Sequence, residues 1–397
     1  VTKNNRKKAV AQAISTAVAL GWVIMQVESA QAATFVVNNL NDSGVGSLRD
    51  TINIANNNDV VEFLLGSHPS TISLTSGALA IAKNLTINGP GANLLTISSN
   101  NHFPVFDINA ADVTFSGLAI AGDINAYNSS NLTFINSTIN GDNLKIDNPT
   151  GELRLINSTI NGNNSVNINT NTLTLTDGSQ VRDLSNTANA GNLTISTGSL
   201  TISNGANINS EQTSNGSGGN IFVQSDLLIL GSGARLSTSA AGSNNSGVGG
   251  NISIDSPNGF IIALPNEPSD IAAGNINSGA AGTLTVTASD AITITGSGVL
   301  PTRVLEPSAI AGGNITSGAG GTLTLTASSI SLTRVPEPSA IAAGNINSGA
   351  GGNITFTTRT LLLTRVPEPS AIAGSILACS LALLAKRNLA AFRKTKA

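Results

Sequence analysis

Side chains able to carry chemistry are scarce in this 397-residue chain. It has two histidines, His68 and His102, and one cysteine, Cys379. Two imidazoles leave little for metal or acid–base work, and a single thiol excludes both a disulfide framework and a Cys-based zinc site. His68 sits in Ser67-His68-Pro69 and His102 in Asn101-His102-Phe103, turn-like settings with no partner implied by spacing. The nearest approach to a reactive constellation is G-D-N-L-K-I-D-N at Gly141–Asn148, where Asp142 and Asp147 flank Lys145. Carboxylates converging on calcium beside a basic residue are what proton abstraction from an acidic sugar needs. On a strand, Lys145 and Asp147 share a face while Asp142 sits at the preceding corner, and a solvated charged face is the plainer reading. A Ser-His-Asp triad can assemble from distant positions, but no spacing marks one. Neither a G-x-x-x-x-G-K-[ST] phosphate loop nor a G-G-x-G-x-D calcium repeat occurs. No catalytic residue, cofactor or metal ligand is expected.

Composition points the same way. Charged residues make up 10% of the chain, against about a quarter in ordinary globular proteins. Asn, Ser, Thr and Gly supply the polarity instead, and 40% hydrophobic residues suffice for a sizeable core. The net charge of −3 is unevenly spread. Residues 1–32 carry +3, residues 33–366 carry −10 and residues 367–397 carry +4. A body at −10 does not suit nucleic acid, whose affinity rests on Lys and Arg neutralising phosphates. No nucleic-acid partner is expected.

The elements that must position these residues are read from repeats. I-N-S-T-I-N-G occurs at Ile135–Gly141 and again at Ile156–Gly162. Apolar–polar–apolar triplets begin at Val113, Leu132, Leu153, Leu173 and Leu193, about twenty residues apart. Alternation of that kind marks a strand with one buried face, and a fixed period of this size marks a solenoid. Stacked coils would align Leu132, Leu153, Leu173 and Leu193 in one column and Phe134, Leu155, Leu175 and Ile195 in a second. Asn136 would lie over Asn157, forming an amide ladder. Further on, G-G-N-I, G-G-T-L and A-G-T-L recur at a longer, uneven period of about 31 residues. E-P-S-x-I-A segments between them read as an outward loop lengthening each coil. The fold expected is all-β, a right-handed parallel β-helix. Its parts are an N-terminal cap over 33–60, coils of about twenty residues over 61–205 and longer coils over 206–365.

Both ends carry targeting features. Lys3, Arg6, Lys7 and Lys8 precede an Ala/Val-rich run, and Ala30-Gln31-Ala32 before Ala33 is an A-x-A cleavage pattern. Residues 1–32 therefore read as a secretory signal peptide. At the other end, Val366-Pro367-Glu368-Pro369-Ser370 precedes a short apolar stretch, Ala371–Ala385. Lys386, Arg387, Arg393, Lys394 and Lys396 follow. That stretch is shorter than the ~20 residues of a comfortable membrane span, and the basic cluster would hold it at the cytoplasmic face. The arrangement over 366–397 resembles the PEP-CTERM sorting signal, which implies an exosortase-like membrane protease as partner and transient inner-membrane anchoring. T-R-V-P-E-P-S-A-I-A also occurs at Thr333–Ala342, with relatives from Arg303 and Glu267. No basic cluster follows these inner copies, so they belong to a structural repeat.

F-V-V-N-N-L-N-D-S-G-V-G-S-L-R-D-T-I at Phe35–Ile52 resembles the opening of bacterial surface β-helix proteins, with Thr51 in place of the usual Ala. In that pattern Ser47 would cap a helix whose apolar face is Leu48, Ile52 and Ala55. The G-G-N-I-x-[IF] coils are more weakly similar to hemagglutinin-type exoproteins. Polygalacturonase-like enzymes share the β-helix, but their N-T-D, D-D and R-I-K clusters are absent. The expectation is a non-enzymatic adhesive or structural protein, exported to the outer cell envelope or extracellular matrix and contacting polysaccharide. It would meet membrane only through its signal peptide and tail. The alternatives are a polysaccharide lyase or hydrolase on the same fold, and a disordered glycosylated stalk.

Overall fold

A computed structural model describes residues 32–364, apart from 129, 186–189, 213–216, 232, 241–248, 265–269, 274–282, 290, 297–309, 312–316, 320–321, 334–340, 343–347 and 351–352. Residues 1–31 of the expected signal peptide and the whole of the expected sorting signal, 366–397, lie outside the described residues. Among those described the chain is all-β with one short helix, and every strand pairing is parallel. Each strand pairs with the strand one turn of chain before it and the one after. This arrangement is consistent with a parallel β-solenoid of three-sided coils.

Alternation explains the stacking. On the first side, Val61, Ile87, Phe115, Phe134, Leu155, Leu175, Ile202 and Leu230 lie in register, one coil above the next. All of them are fully buried. The second side runs through Ile72, Ile97, Ile120, Ile139, Ile160, Val181, Ile208 and Leu236. The third runs through Phe106, Ile124, Ile146, Ile168, Ile195, Val223 and Ile254. Burying one such side chain is worth about 1.5–3 kcal/mol, and no single coil can bury its own. Phe115 and Phe134 stack with centroids 5.0 Å apart, and Phe106 packs tilted on Phe115 at 4.6 Å.

The expected columns hold for Leu132, Leu153 and Leu173 and for Phe134, Leu155 and Leu175, then depart. Leu173 pairs with Leu200, not Leu193, and Leu175 pairs with Ile202, not Ile195. Leu193 and Ile195 continue the third side, above Val166 and Ile168. The cause is a duplicated pattern: N-L-T-I-S at Asn192–Ser196 and S-L-T-I-S at Ser199–Ser203 lie on neighbouring sides of one longer coil. On the first side the spacing of about twenty residues runs from Phe115 to Leu175, and on the second from Ile120 to Val181.

The corners use residues tolerant of positive φ. Asn136, Asn157, Asp177 and Asn204 occupy equivalent positions with φ of 50°, 45°, 55° and 52°. Asn is among the few non-glycine residues that enter this region readily. The Asn157 amide donates to Asn136 Oδ1 at 2.7 Å, the ladder the repeat implies. Beside it an internal serine column forms. The Ser158 hydroxyl accepts the N–H of Ser137 and donates to the Ile156 carbonyl, and Ser179 Oγ accepts the N–H of Ser158. These contacts satisfy buried corner amides that no strand partner reaches.

The E-P-S-x-I-A segments are not loops throughout. Their Ile-Ala pairs form short strands, and Ile271, Ile310 and Ile341 continue the second side above Leu236. The segment thus ends in a strand of the stack, which accounts for its repetition.

At the N-terminal end the strand Thr34–Val37 pairs with Asp59–Phe63 and so belongs to the first coil. The helix Leu48–Ile54 follows, capped by Ser47, whose hydroxyl accepts the Asp50 N–H at 3.2 Å. Its face of Leu48, Ile52 and Ala55 is buried in the core.

Candidate functional site

Of the residues marked by sequence, Ala30, Val366, Pro367, Glu368, Pro369, Ser370, Lys386, Arg387, Arg393 and Lys394 lie outside the described residues. Ala32 and Ala33 are described. The Ala33 N–H donates to Asp59 Oδ1 at 2.8 Å, and the Asn56 N–H donates to Asp59 Oδ2 at 2.6 Å. The Asn56 and Ala33 hydrogen bonds hold this buried carboxyl below the usual carboxylate range. The chain is thus tied into the first coil from Ala33 onward.

Lys145 and Asp147 share a face, as alternation requires, and form an ion pair at 2.8 Å. The hydrogen bond to Asp147 raises the Lys145 ammonium, the opposite of what a general base needs, and lowers Asp147. Asp147 also accepts the Asn169 amide at 2.8 Å. Asp142 is engaged elsewhere, accepting the Asn163 amide at 3.0 Å. The structure therefore does not bring the three together into a calcium cradle. Among the described residues no group of three His, Cys, Asp or Glu side chains is disposed to hold a metal. His68 and His102 are exposed in turns on separate coils.

Two carboxyls that spacing did not single out carry the strongest electrostatics. Asp42 lies inside the D-S-G-V-G-S-L-R segment and pairs with Arg49 at 2.7 Å. It also accepts the backbone N–H and hydroxyl of both Thr75 and Ser76. Partial burial pushes this carboxyl up. Hydrogen bonds from Ser76, Arg49 and Thr75 overcome that and hold it far below the usual range. Arg49 reaches on to the carbonyls of Gly77 and Ala78. The motif locks the helix segment to the loop of the first coil, and its Asp and Arg seven residues apart were the available signal.

Asp183 is wholly buried on the second side, between Gly162 and Ser210 of adjoining coils. Its Oδ1 accepts the Gly191 N–H at 2.7 Å, while Oδ2 has no partner among the described residues. Burial pushes this carboxyl up. A Cβ on Gly162 would meet Val166 Cγ2 at 2.5 Å and Oδ2 at 2.9 Å, and one on Gly191 would run into the Asn164 carbonyl and come within 2.8 Å of Oδ2, so both glycines serve close packing around the acid.

The most regular surface is a set of polar ladders running from coil to coil. Asn amides donate to the carbonyl or carboxylate below in the pairs Asn128–Asn109, Asn131–Asp112, Asn161–Asn140 and Asn164–Asn143. An Asn that donates one N–H along a ladder has a second to offer outward, while Asn143 Oδ1 is filled by Asn164 and the Ser165 hydroxyl. Exposed aromatic side chains among the described residues are Tyr127 and Phe222, at 42% and 44%. Sequence reasoning missed both because nothing in the local pattern distinguishes them.

No family model, curated protein or solved structure matches this chain. Its class is therefore defined by fold and surface alone: an all-β chain of parallel strands, consistent with a solenoid, bearing laddered amides.

Proposed function

We propose that the chain is a right-handed parallel β-helix that works as a structural and adhesive protein of the cell envelope or extracellular matrix, contacting polysaccharide without cleaving it. The right hand follows from the handedness of crossovers between parallel strands. The supporting observation is the surface itself. Amide ladders repeat at coil spacing, offering many equivalent weak hydrogen-bonding sites to a polymer that also repeats. Lys145, the basic residue nearest a lyase-like arrangement, is occupied by Asp147. The A-x-A pattern and the V-P-E-P tail support export and sorting by an exosortase-like protease.

The test is retention of the full chain by a panel of immobilised polysaccharides, with the supernatant assayed for reducing or unsaturated sugar ends. Retention without release is expected. Released ends would replace the adhesive reading with an enzymatic one, and retention by no polysaccharide would remove it. Intact mass checks the sorting. Extracellular protein retaining Val366 through Ala397 would refute tail cleavage.

A further inference from the structure

We infer that Tyr127 and Phe222 mark the two ends of one binding strip for an uncharged, β-linked polysaccharide, lying across the third side of the solenoid. The inference rests on the polysaccharide-contacting function proposed above and names its ligand class and place. Register fixes the geometry. Ile124 stacks beneath Ile146, Ile168, Ile195 and Val223, so Tyr127 and Phe222 lie on the same outer face, four coils apart. Within their coils they are offset by four positions, Phe222 preceding Val223 and Tyr127 lying three residues after Ile124. Four coils at about 4.8 Å and four residues at about 3.3 Å put the rings roughly 23 Å apart on a diagonal.

That diagonal passes Thr194 and Ser196, then Asn169, then Asp147, each on its own coil. Its middle is thus hydroxyl, amide and carboxylate, and its ends are aromatic. A pyranose ring has the matching anatomy, with an apolar C–H face that packs on an aromatic ring and hydroxyls at its edge for amides. Along the diagonal one coil is crossed about every 6 Å, on the order of one unit of an extended β-linked chain, so the polar rows meet successive units. Charge selects among glycans. The carboxylate on the line, Asp147, is paired with Lys145, and no unpaired cation stands on the line to receive a uronate. Residues 33–366 carry −10 and repel a polyanion. Strands hold all these side chains on rigid backbone, which limits the entropy lost on binding.

The experiment is affinity electrophoresis of the full chain in native gels containing hydroxyethylcellulose, a neutral β-linked glucan, or polygalacturonate. Hydroxyethylcellulose should retard the wild type. Tyr127→Ala and Phe222→Ala should each weaken binding about tenfold. Tyr127→Phe, which keeps the ring, should bind nearly as the wild type does. Leu64→Ala, removing an apolar side chain that is 75% exposed elsewhere, should change nothing. Both rings being exposed, circular dichroism should be unaltered in every variant. Retardation unchanged by both alanine variants would overturn the strip while leaving polysaccharide contact standing. Retardation by polygalacturonate alone would overturn the neutral ligand. Retardation by neither polymer, with no retention on the immobilised panel, would sink the function on which the strip rests.

Discussion

Asp42 is ringed by donors from Arg49, Thr75 and Ser76, and this ring ties the helix segment to the first coil. Its carboxyl is held low, so the unfolded chain takes up a proton before the folded one does. The stabilisation is therefore complete above about pH 4 and is withdrawn as pH falls below it. Asp42→Asn should destabilise the N-terminal coils by about 2 kcal/mol at neutral pH, read as faster amide exchange in Thr34–Val37. The gap from wild type should narrow in acid. Equal protection in both proteins at pH 7 would show that the ring holds nothing. Asp183 has the opposite sign. Burial raises its pKa, so the folded state binds the proton more tightly. Stability is greatest below the ordinary carboxylate value and falls as pH rises through the raised one. Asp183→Asn keeps the acceptor for Gly191 and removes the charge. It should melt higher than wild type at neutral pH, by about 1–3 kcal/mol, and lose that advantage near pH 3–4. A variant that melts lower at neutral pH would mean that the charge has a partner.

At the scale of the element, the corners decide register as much as the strands do. Asn157 has φ of 45° and accepts its place because its short polar side chain reaches Asn136. Asn157→Gly should lose the ladder bond but keep the corner, costing well under 1 kcal/mol. Asn157→Val puts a β-branched residue at positive φ and should cost about 1–2 kcal/mol. Comparing the two melting temperatures separates backbone from ladder, and equal costs would assign the corner to the ladder alone. The corner was legible because I-N-S-T-I-N-G appears twice, and so were Leu132, Leu153 and Leu173. Leu193 was not. Its N-L-T-I-S differs in no local respect from the S-L-T-I-S that takes the next place in the column. Only the length of the intervening corner tells them apart, and corner length is not encoded in alternation. The aromatic strip was hidden for a related reason. Tyr127 and Phe222 share a face only after four coils of pairing, so no window of sequence contains them both.

At the scale of the whole molecule, coils contact mainly the coil before and the coil after, so stability should be close to a sum over neighbours. That makes removal of one coil a sharp test. Ile135–Gly141 and Ile156–Gly162 have the same sequence, so deleting residues 136–156 joins Ile135 to Asn157 and leaves one intact I-N-S-T-I-N-G at the seam. The strand at Thr159 then meets Ala119–Ala121, whose Ile120 stands in the same second-side column as Ile160. Leu173 and Leu175 meet Leu132 and Phe134, apolar on apolar. The seam costs the packing of one coil and opens no new edge, because both ends of the stack are unchanged. The shortened protein should keep its β circular dichroism and stay soluble, and its stack should be shorter by about 5 Å in small-angle scattering. The deletion also draws Tyr127 and Phe222 one coil closer, so hydroxyethylcellulose binding should weaken while the fold persists. Unfolding or aggregation would show that the coils are not interchangeable. The neighbour-sum picture would then give way to one in which particular coils, such as the one carrying Phe134, nucleate the rest.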